Sequence, residues 1–265
     1  MTRALEMLLH DPDGRRQAAT LNVTPGLSVS GAKVSCLMIS RGRRLPAEHA
    51  IACYRRQTYP ERELVIVSAA LDDELAALVA EIGDPSIRLI RAAPATLGEL
   101  RNISVAHATG DLICQWDDDD LSAPDRIALM AAALGGSQAM ACFLGTLTLW
   151  WPDRRRLASS GARIWENTML VRREALPIYA ALDLREDTGV GAMIRAHHRI
   201  TLLAAPESYA YIYHGANAWD AGHFGELFDN ARLTVADADY DAEIAALGAT
   251  MPLAAYAADL TRRIP

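Results

Sequence analysis

Four short apolar runs punctuate the first half of the chain: Val34–Ile39 (VSCLMI), Leu64–Val67 (LVIV), Ile87–Ile90 and Leu112–Trp116. Each has the length of a strand and reads as a buried run rather than an alternating one. Between them lie segments of helical spacing. Pro46–Gln57 has proline at its first helical position and apolar Ala50, Ile51, Cys53 and Tyr54. Asp72 and Asp73 cap a helix that runs through Ile82 and stops at Gly83. Leu97–Ala108 is a helix ended by Gly110, and Ser122–Leu134 is another, with Pro124 near its start and Gly135–Gly136 after it. The order is β-α-β-α-β-α-β-α. Buried runs in that order predict an α/β fold, a mostly parallel sheet covered by helices on both faces. In such sheets ligands bind at the carboxyl ends of the strands.

The second half has a different rhythm. Met140–Trp151 reads as one long strand followed by a Pro152–Asp153 turn, and Asn167–Val171 as another strand. Helices follow around Arg173–Ala181 and Asp187–His197, then strands at Thr201–Ala204 and Tyr209–Tyr213. From Phe224 onward the chain is helical in tendency, with acidic breaks. Residues 1–32 form an extension with turn chemistry at Pro12, Gly14, Pro25, Gly26 and Gly31, and with room for a helix and a strand.

Composition narrows the function classes. The chain has 265 residues, 51% hydrophobic and 22% charged, as in an ordinary globule with a sizeable core. A net charge of −7 argues against a general binder of nucleic acid or anionic membrane. Cys36, Cys53, Cys114 and Cys142 sit singly in apolar segments without metal-ligand spacing, so they read as buried thiols in a reducing compartment. The N-terminal apolar run is too short for a signal peptide, and no run reaches the length of a transmembrane helix. A cytoplasmic location is the expectation.

The stretch GDLICQWDDDDLSAPDRI places Asp117, Asp118, Asp119 and Asp120 where the fourth strand surfaces. Two unit charges about 4 Å apart repel by about 4 kcal/mol at an effective dielectric near 20. A chain avoids that by pointing the carboxylates into water, as a solvated loop, or by placing a cation among them. Hard oxygen ligands at a strand-end mouth suit Mn²⁺ or Mg²⁺, which keep several waters and share themselves with substrate phosphates. The chain contains neither a P-loop nor a Rossmann glycine fingerprint. Phosphatases and receiver domains built on strand-end aspartates need a lysine from a later strand. The only lysine, Lys33, precedes the first strand.

Three segments in order carry a resemblance. VSCLMISRGR is similar to the first strand and following turn of the inverting glycosyltransferases of family 2, which have the GT-A (Rossmann-like) fold. CYRRQTYPERELVIV resembles that family's Q-T-Y-P signature, with Gln57, Thr58, Tyr59 and Pro60 in place. LGELRNISVAHATGDLICQWDDDD resembles the segment in which an Arg-Asn pair precedes the D-x-D motif. The likeness covers roughly residues 33 to 220. It implies a donor half over 33–135, an acceptor half of the same domain over 136–221, and a helical tail over 222–265.

By that resemblance Asp117 and Asp119 are the D-x-D pair. Asp117, with Asp118 beside it, lies toward the nucleotide ribose, and Asp119 coordinates the metal on the diphosphate. Arg101 falls on the arginine that faces the nucleotide; an exposed helix cation is the alternative. Glu186–Asp187 in DLREDTGVGAMIRAHH match the E-D motif that faces the acceptor, with Asp187 the base for the acceptor hydroxyl. A helix N-terminus favours the ionised form there, and an N-cap is the plainer role for either carboxylate. A late histidine completes the metal shell in the family, here His214, with His223 competing. Trp219 can stack on a sugar face. The triplet Arg154–Arg156 is a solvated turn or meets an anionic acceptor.

Two departures matter. Ser68–Ala69 stand where the family has an acidic pair that holds the base, and Ile39-Ser40-Arg41-Gly42 replaces its proline-asparagine turn. Ser40 and Ser68 thus face the nucleotide without a carboxylate, and Arg41 or Arg43 can reach a phosphate or simply be solvated. The implied function is metal-dependent, inverting transfer of a sugar from a nucleoside-diphosphate sugar, a UDP-sugar by family, to a glycan or other hydroxyl acceptor. The alternatives are a sugar-phosphate nucleotidyltransferase, whose glycine-rich loop is missing, and a non-catalytic sugar-nucleotide or glycan binder.

Overall fold

The computed structural model describes residues 3–24, 31–42, 44–69 and 73–261; the Pro25–Gly26 turn, Arg43 and Asp72 lie outside them. In chain order the first elements are β1 (Arg3–His10), β2 (Arg16–Val23), β3 (Val34–Ser40), α1 (Arg44–Arg55), β4 (Arg62–Ser68), α2 (Asp73–Ile82), β5 (Ile87–Arg91), α3 (Leu97–His107) and β6 (Leu112–Gln115). Next come β7 (Leu121–Ser122), α4 (Arg126–Ser137), β8 (Ala141–Thr146), β9 (Thr148–Trp151), β10 (Arg156–Ser159) and β11 (Leu170–Arg172). The last are α5 (Glu186–His197), β12 (Ile200–Ala204), β13 (Tyr209–Ile212), α6 (Ala221–Asp229), β14 (Leu233–Thr234), α7 (Tyr240–Gly248) and α8 (Leu253–Thr261).

The four buried runs do form parallel neighbours, β6-β3-β4-β5, inside a nine-stranded sheet of order β2-β1-β12-β8-β11-β6-β3-β4-β5. All of β3 is buried, because helices cover both of its faces. The sheet becomes mixed at β11, which runs antiparallel to both β6 and β8. A second sheet, β14-β10-β9-β13-β7, stands beyond the carboxyl end of β6.

Several expectations need correction. Residues 3–23 contain no helix: they form an antiparallel hairpin whose alternation buries Leu5, Met7 and Leu9 and extends the large sheet through β12. Met140–Trp151 is two strands in two sheets. At the break, the Leu147 N–H donates to Ser160 Oγ and its carbonyl accepts from the Ser160 N–H, so the chain leaves the β12 ladder there. Ser122 belongs to a strand, and α4 begins at Arg126 and runs through Gly135–Gly136 to a left-handed Gln138. The helix expected over Arg173–Ala181 is one 3-10 turn, Arg173–Ala175. Pro177 disfavours helix for its predecessor. Beyond it the Asn102 side chain holds the extended backbone, donating to Tyr179 O at 2.9 Å and accepting from Tyr179 N at 3.0 Å.

The Gln57–Pro60 signature has a plain structural task. Gln57 Oε1 accepts from Ile127 N, and its Nε2 donates to Ala123 O, which orients the start of α4. At the opposite sheet edge the buried Glu63 gathers Ser35 Oγ, the N–H and Oγ1 of Thr109, Lys33 and Arg88. The single lysine is therefore part of a structural cluster. Among the described residues no helix is long and apolar enough to cross a membrane.

Burial alone would raise the Glu63 carboxyl, but the hydrogen bonds from Ser35, Thr109 and Lys33 outweigh it and bring the group from 4.5 down to about 2. A folded value below the unfolded one stabilises above the unfolded pKa, and that contribution fades as pH falls from about 4.5 toward 2. Glu63→Gln should therefore cost about 2–3 kcal/mol near neutral pH, and denaturant melts of the two proteins should converge as the pH is lowered below 4.5. A difference that stays constant down to pH 3 would contradict the assignment.

Candidate active site

The loop after β6 separates its four aspartates into different tasks. Its start is held from below: Trp116 Nε1 donates to Ala50 O of α1, and the Arg126 guanidinium donates to Gln115 O and Ser122 Oγ. Asp120 turns inward and accepts from Tyr209 Oη at 2.6 Å and Ile212 N at 2.9 Å. Burial, with the charges of Asp119 and Asp117, pushes its carboxyl well above the ordinary range. It ties the loop to β13 and draws Leu121–Ser122 into the second sheet. Asp119 meets His214 Nε2 at 3.0 Å. Asp117, Asp118 and Asp119 line a cleft of about 140 Å³, room enough for several waters or a polar ligand group.

Arg101 lies at the centre. It is buried, and its Nε donates to Glu186 Oε1 at 2.7 Å while Nη2 stands 3.5 Å from Asp117 Oδ1. Burial, helped by the charges of Asp119, Asp187 and Glu186 and opposed by Arg101, leaves the Asp117 carboxyl raised to about 6. Arg101 projects from α3, whose start is a capping box between Thr96 and Glu99. That first turn requires glycine: a Cβ at Gly98 would run into Ala180 O, and the Gly98 N–H donates to Leu182 O. Backbone contact and the Asn102 clasp thus join α3 to the segment that leads into α5.

The exposed-cation alternative for Arg101 therefore does not hold. Glu186 is buried at the cleft wall, and its carboxylate accepts from Arg101 Nε. Neither acid is an N-cap; that position is Arg185, in the left-handed region at φ 64, without a side-chain cap. Asp187, one residue into α5, lines the cleft. It also lines an adjoining chamber walled by Trp165, Glu166, Trp219 and His223. Asn167, Tyr211 and Trp219 border both spaces.

Trp219 stacks on His223 with centroids 4.3 Å apart, and the Arg185 guanidinium lies 5.3 Å from its ring. Burial, then Arg163, pulls His223 below its ordinary pKa. His223 is thus placed with Trp219, and His214 with Asp119. Ser40 and Ser68 are register partners at the ends of β3 and β4, on the sheet edge that also yields Asp117. Arg41 reaches across to Asp183 at 2.6 Å rather than into the cleft. The Arg154–Arg156 turn pairs with the C-terminal segment: Arg155 with Asp237 and Asp241, and Arg156 with Asp229.

Sequence reasoning missed Asn167, Arg185, Tyr211 and Asn217 as cleft residues. Only the HGANAW segment, around Trp219, pointed near them. Among the described residues no three His, Cys, Asp or Glu side chains converge as a ready metal cage. Asp119 and His214 are a two-ligand set of hard oxygen and imidazole, which fits a cation that also takes water and phosphate oxygens.

Residues 35–184 match the family model described as glycosyl transferase family 2. No curated protein matches the chain. Solved structures share the fold at low identity. The S. aureus TarS fragment 1–349 in complex with UDP is 13% identical with a TM-score of 0.57, over 74% of this chain and 69% of that one. The Pyrobaculum calidifontis mannosyltransferase PcManGT, in complex with GDP-Man and Mn²⁺, is 17% identical with a TM-score of 0.52, over 70% and 57%. GalNAc-T7 with UDP, GalNAc and Mn²⁺ is 12% identical with a TM-score of 0.53, over 70% and 45%.

If Arg101 neutralises this cluster, Arg101→Met should leave Asp117 and Glu186 uncompensated and cost about 3–5 kcal/mol. Chemical denaturation at neutral pH measures it. A loss below about 1 kcal/mol, the worth of a surface pair, would mean the guanidinium is not the organising charge.

Proposed function

The chain belongs to glycosyl transferase family 2, and we propose that it is a metal-dependent, inverting glycosyltransferase that moves a sugar from a UDP-sugar to an acceptor hydroxyl. The observation that carries this reading is the place of Asp187, on the wall common to the Asp117–Asp119 cleft and the adjoining aromatic chamber. A single displacement needs that arrangement, with the donor on one side of the base and the acceptor on the other.

The acceptor hydroxyl, held in the chamber beside Trp219 and Asn167, gives its proton to Asp187 as its oxygen attacks the anomeric carbon. The bond from that carbon to the diphosphate oxygen breaks on the opposite face, so the configuration inverts. Asp119 and His214 would hold Mn²⁺ or Mg²⁺, which supplies positive charge for the departing diphosphate. Arg185, at the cleft wall, is a protein cation that would share that load. Glu186 acts through Arg101, as a positioning residue. Support for a nucleotide donor comes from the fold neighbours that hold UDP, UDP-GlcNAc or GDP-Man, two of which hold Mn²⁺. Uridine is the family expectation; Ser68, in place of a carboxylate, predicts weaker discrimination among bases than an unpaired buried acid would give.

Thermal and chemical melts test the metal. UDP at about 100 times its dissociation constant should add about 2.7 kcal/mol of stability when Mn²⁺ is present. Asp119→Ala should fold normally and lose most of that gain. Equal stabilisation of the wild type in EDTA and in Mn²⁺ would remove the metal from the mechanism.

Asp187→Asn separates chemistry from binding. Nucleotide affinity should stay near wild type while sugar transfer falls by about 10² to 10⁴, the usual worth of a positioned general base. Glu186→Gln should instead lower stability and nucleotide binding together, through Arg101. If Asp187→Asn transfers sugar at the wild-type rate, the base is another group.

A further inference from the structure

The C-terminal helix reaches the aspartate loop. Tyr256 on α8 is 1% exposed, and its hydroxyl donates to the backbone carbonyl of Asp119 at 2.9 Å. It arrives there from 137 residues downstream, across the second sheet. The ring is held on two sides, with centroids 5.2 Å from His49 and 6.2 Å from Trp150. His49 Nε2 in turn lies 2.9 Å from Asp259 Oδ2, which anchors α8 on α1. The buried Met251 and Leu253 seat the start of the helix in the core.

Among the described residues, contacts from three places hold the short span Asp119–Asp120. His214 takes the Asp119 side chain, β13 takes the Asp120 carboxylate, and Tyr256 takes the Asp119 carbonyl. Among the described residues, the last comes from the tail. The Asp119 carbonyl lies in the loop after β6, and the buried Tyr256 hydroxyl that donates to it favours one orientation of its peptide plane. The orientation of that plane sets where the Asp119 carboxylate emerges.

We propose that Tyr256 is a positioning residue for Asp119, so that the C-terminal helix completes the donor site rather than merely covering the core. The inference rests on the donor-site reading above for its functional consequence, but its structural core is independent of any metal. Losing the phenol should free the loop locally while the aromatic packing persists, because phenylalanine fills nearly the same volume.

Hydrogen exchange by mass spectrometry, with and without Mn²⁺ and UDP, tests this on the full chain. In Tyr256→Phe the amides of 117–123 should exchange about fivefold faster, what one ordinary hydrogen bond is worth. The strand peptide 112–116 and α8 itself should be unchanged. Mn²⁺-dependent UDP binding, followed by calorimetry, should weaken by a similar factor. Asp259→Asn, which loosens the anchor on α1 but keeps the phenol, should leave 117–123 within about twofold of wild type and so separate loop positioning from general destabilisation. Unchanged exchange at 117–123 in Tyr256→Phe overturns the proposal, as does faster exchange spread evenly over α8 and the core. If the wild type binds UDP without regard to Mn²⁺, the metal reading fails, while the exchange result still decides the role of Tyr256.

Discussion

A single guanidinium, Arg101, buried between Asp117 and Glu186, is the charge on which the site depends. Asp117, Asp119, Asp120, Glu186 and Asp187 lie close enough to influence one another, and like charges at such spacing cost several kcal/mol in a protein interior. Burial works against the charge of Arg101, and the two carboxylates outweigh it, so the cation is held by the groups it neutralises. The pair also links α3 to the start of α5 at the cleft. One interaction therefore sets both the electrostatics and the spacing of the two halves.

The rest of the architecture serves that spacing. Gly98 lets α3 approach the segment before α5 at backbone contact, and Asn102 clasps Tyr179 just beyond. The result places both Glu186 and Asp187 at the cleft wall. Adjacent residues at a helix start point roughly 100° apart, enough for Glu186 to meet Arg101 while Asp187 also borders the adjoining chamber. The aspartate loop divides its labour in the same manner. Asp120 goes to β13 as a structural tie, while Asp117, Asp118 and Asp119 line the cleft, Asp119 paired there with His214.

Much of this was legible in the chain. The buried runs gave β3, β4 and β6 because strands covered on both faces leave no polar alternation to misread, and the partly buried β5 completes the set at the sheet edge. The aspartates drew notice because their charge density at a strand end has few plain explanations, and the structure brings Asp117, Asp118, Asp119, Arg101, Asp187 and Trp219 to one cleft. Periodicity failed where tertiary contacts overrode it. Met140–Trp151 is apolar throughout, so nothing local marks the change of sheet at Leu147, which Ser160 dictates. Arg173–Ala181 has helical composition, but Asn102 and Pro177 hold it extended. The roles of Glu186 and Tyr256 were equally hidden, since each depends on a partner about 85 and 137 residues away. Distance in sequence is what pattern reading cannot bridge.

The stereochemistry of transfer tests the central claim most directly: Asp187 serves as base for one in-line displacement, with no covalent sugar intermediate. Water can replace an unidentified acceptor, so slow hydrolysis of an α-linked UDP-sugar in Mn²⁺ can be followed by proton NMR before mutarotation obscures the first product. A single displacement predicts that the β anomer of the free sugar appears first. Initial release of the α anomer would mean retention, two displacements or a front-face route, and would contradict the role given to Asp187.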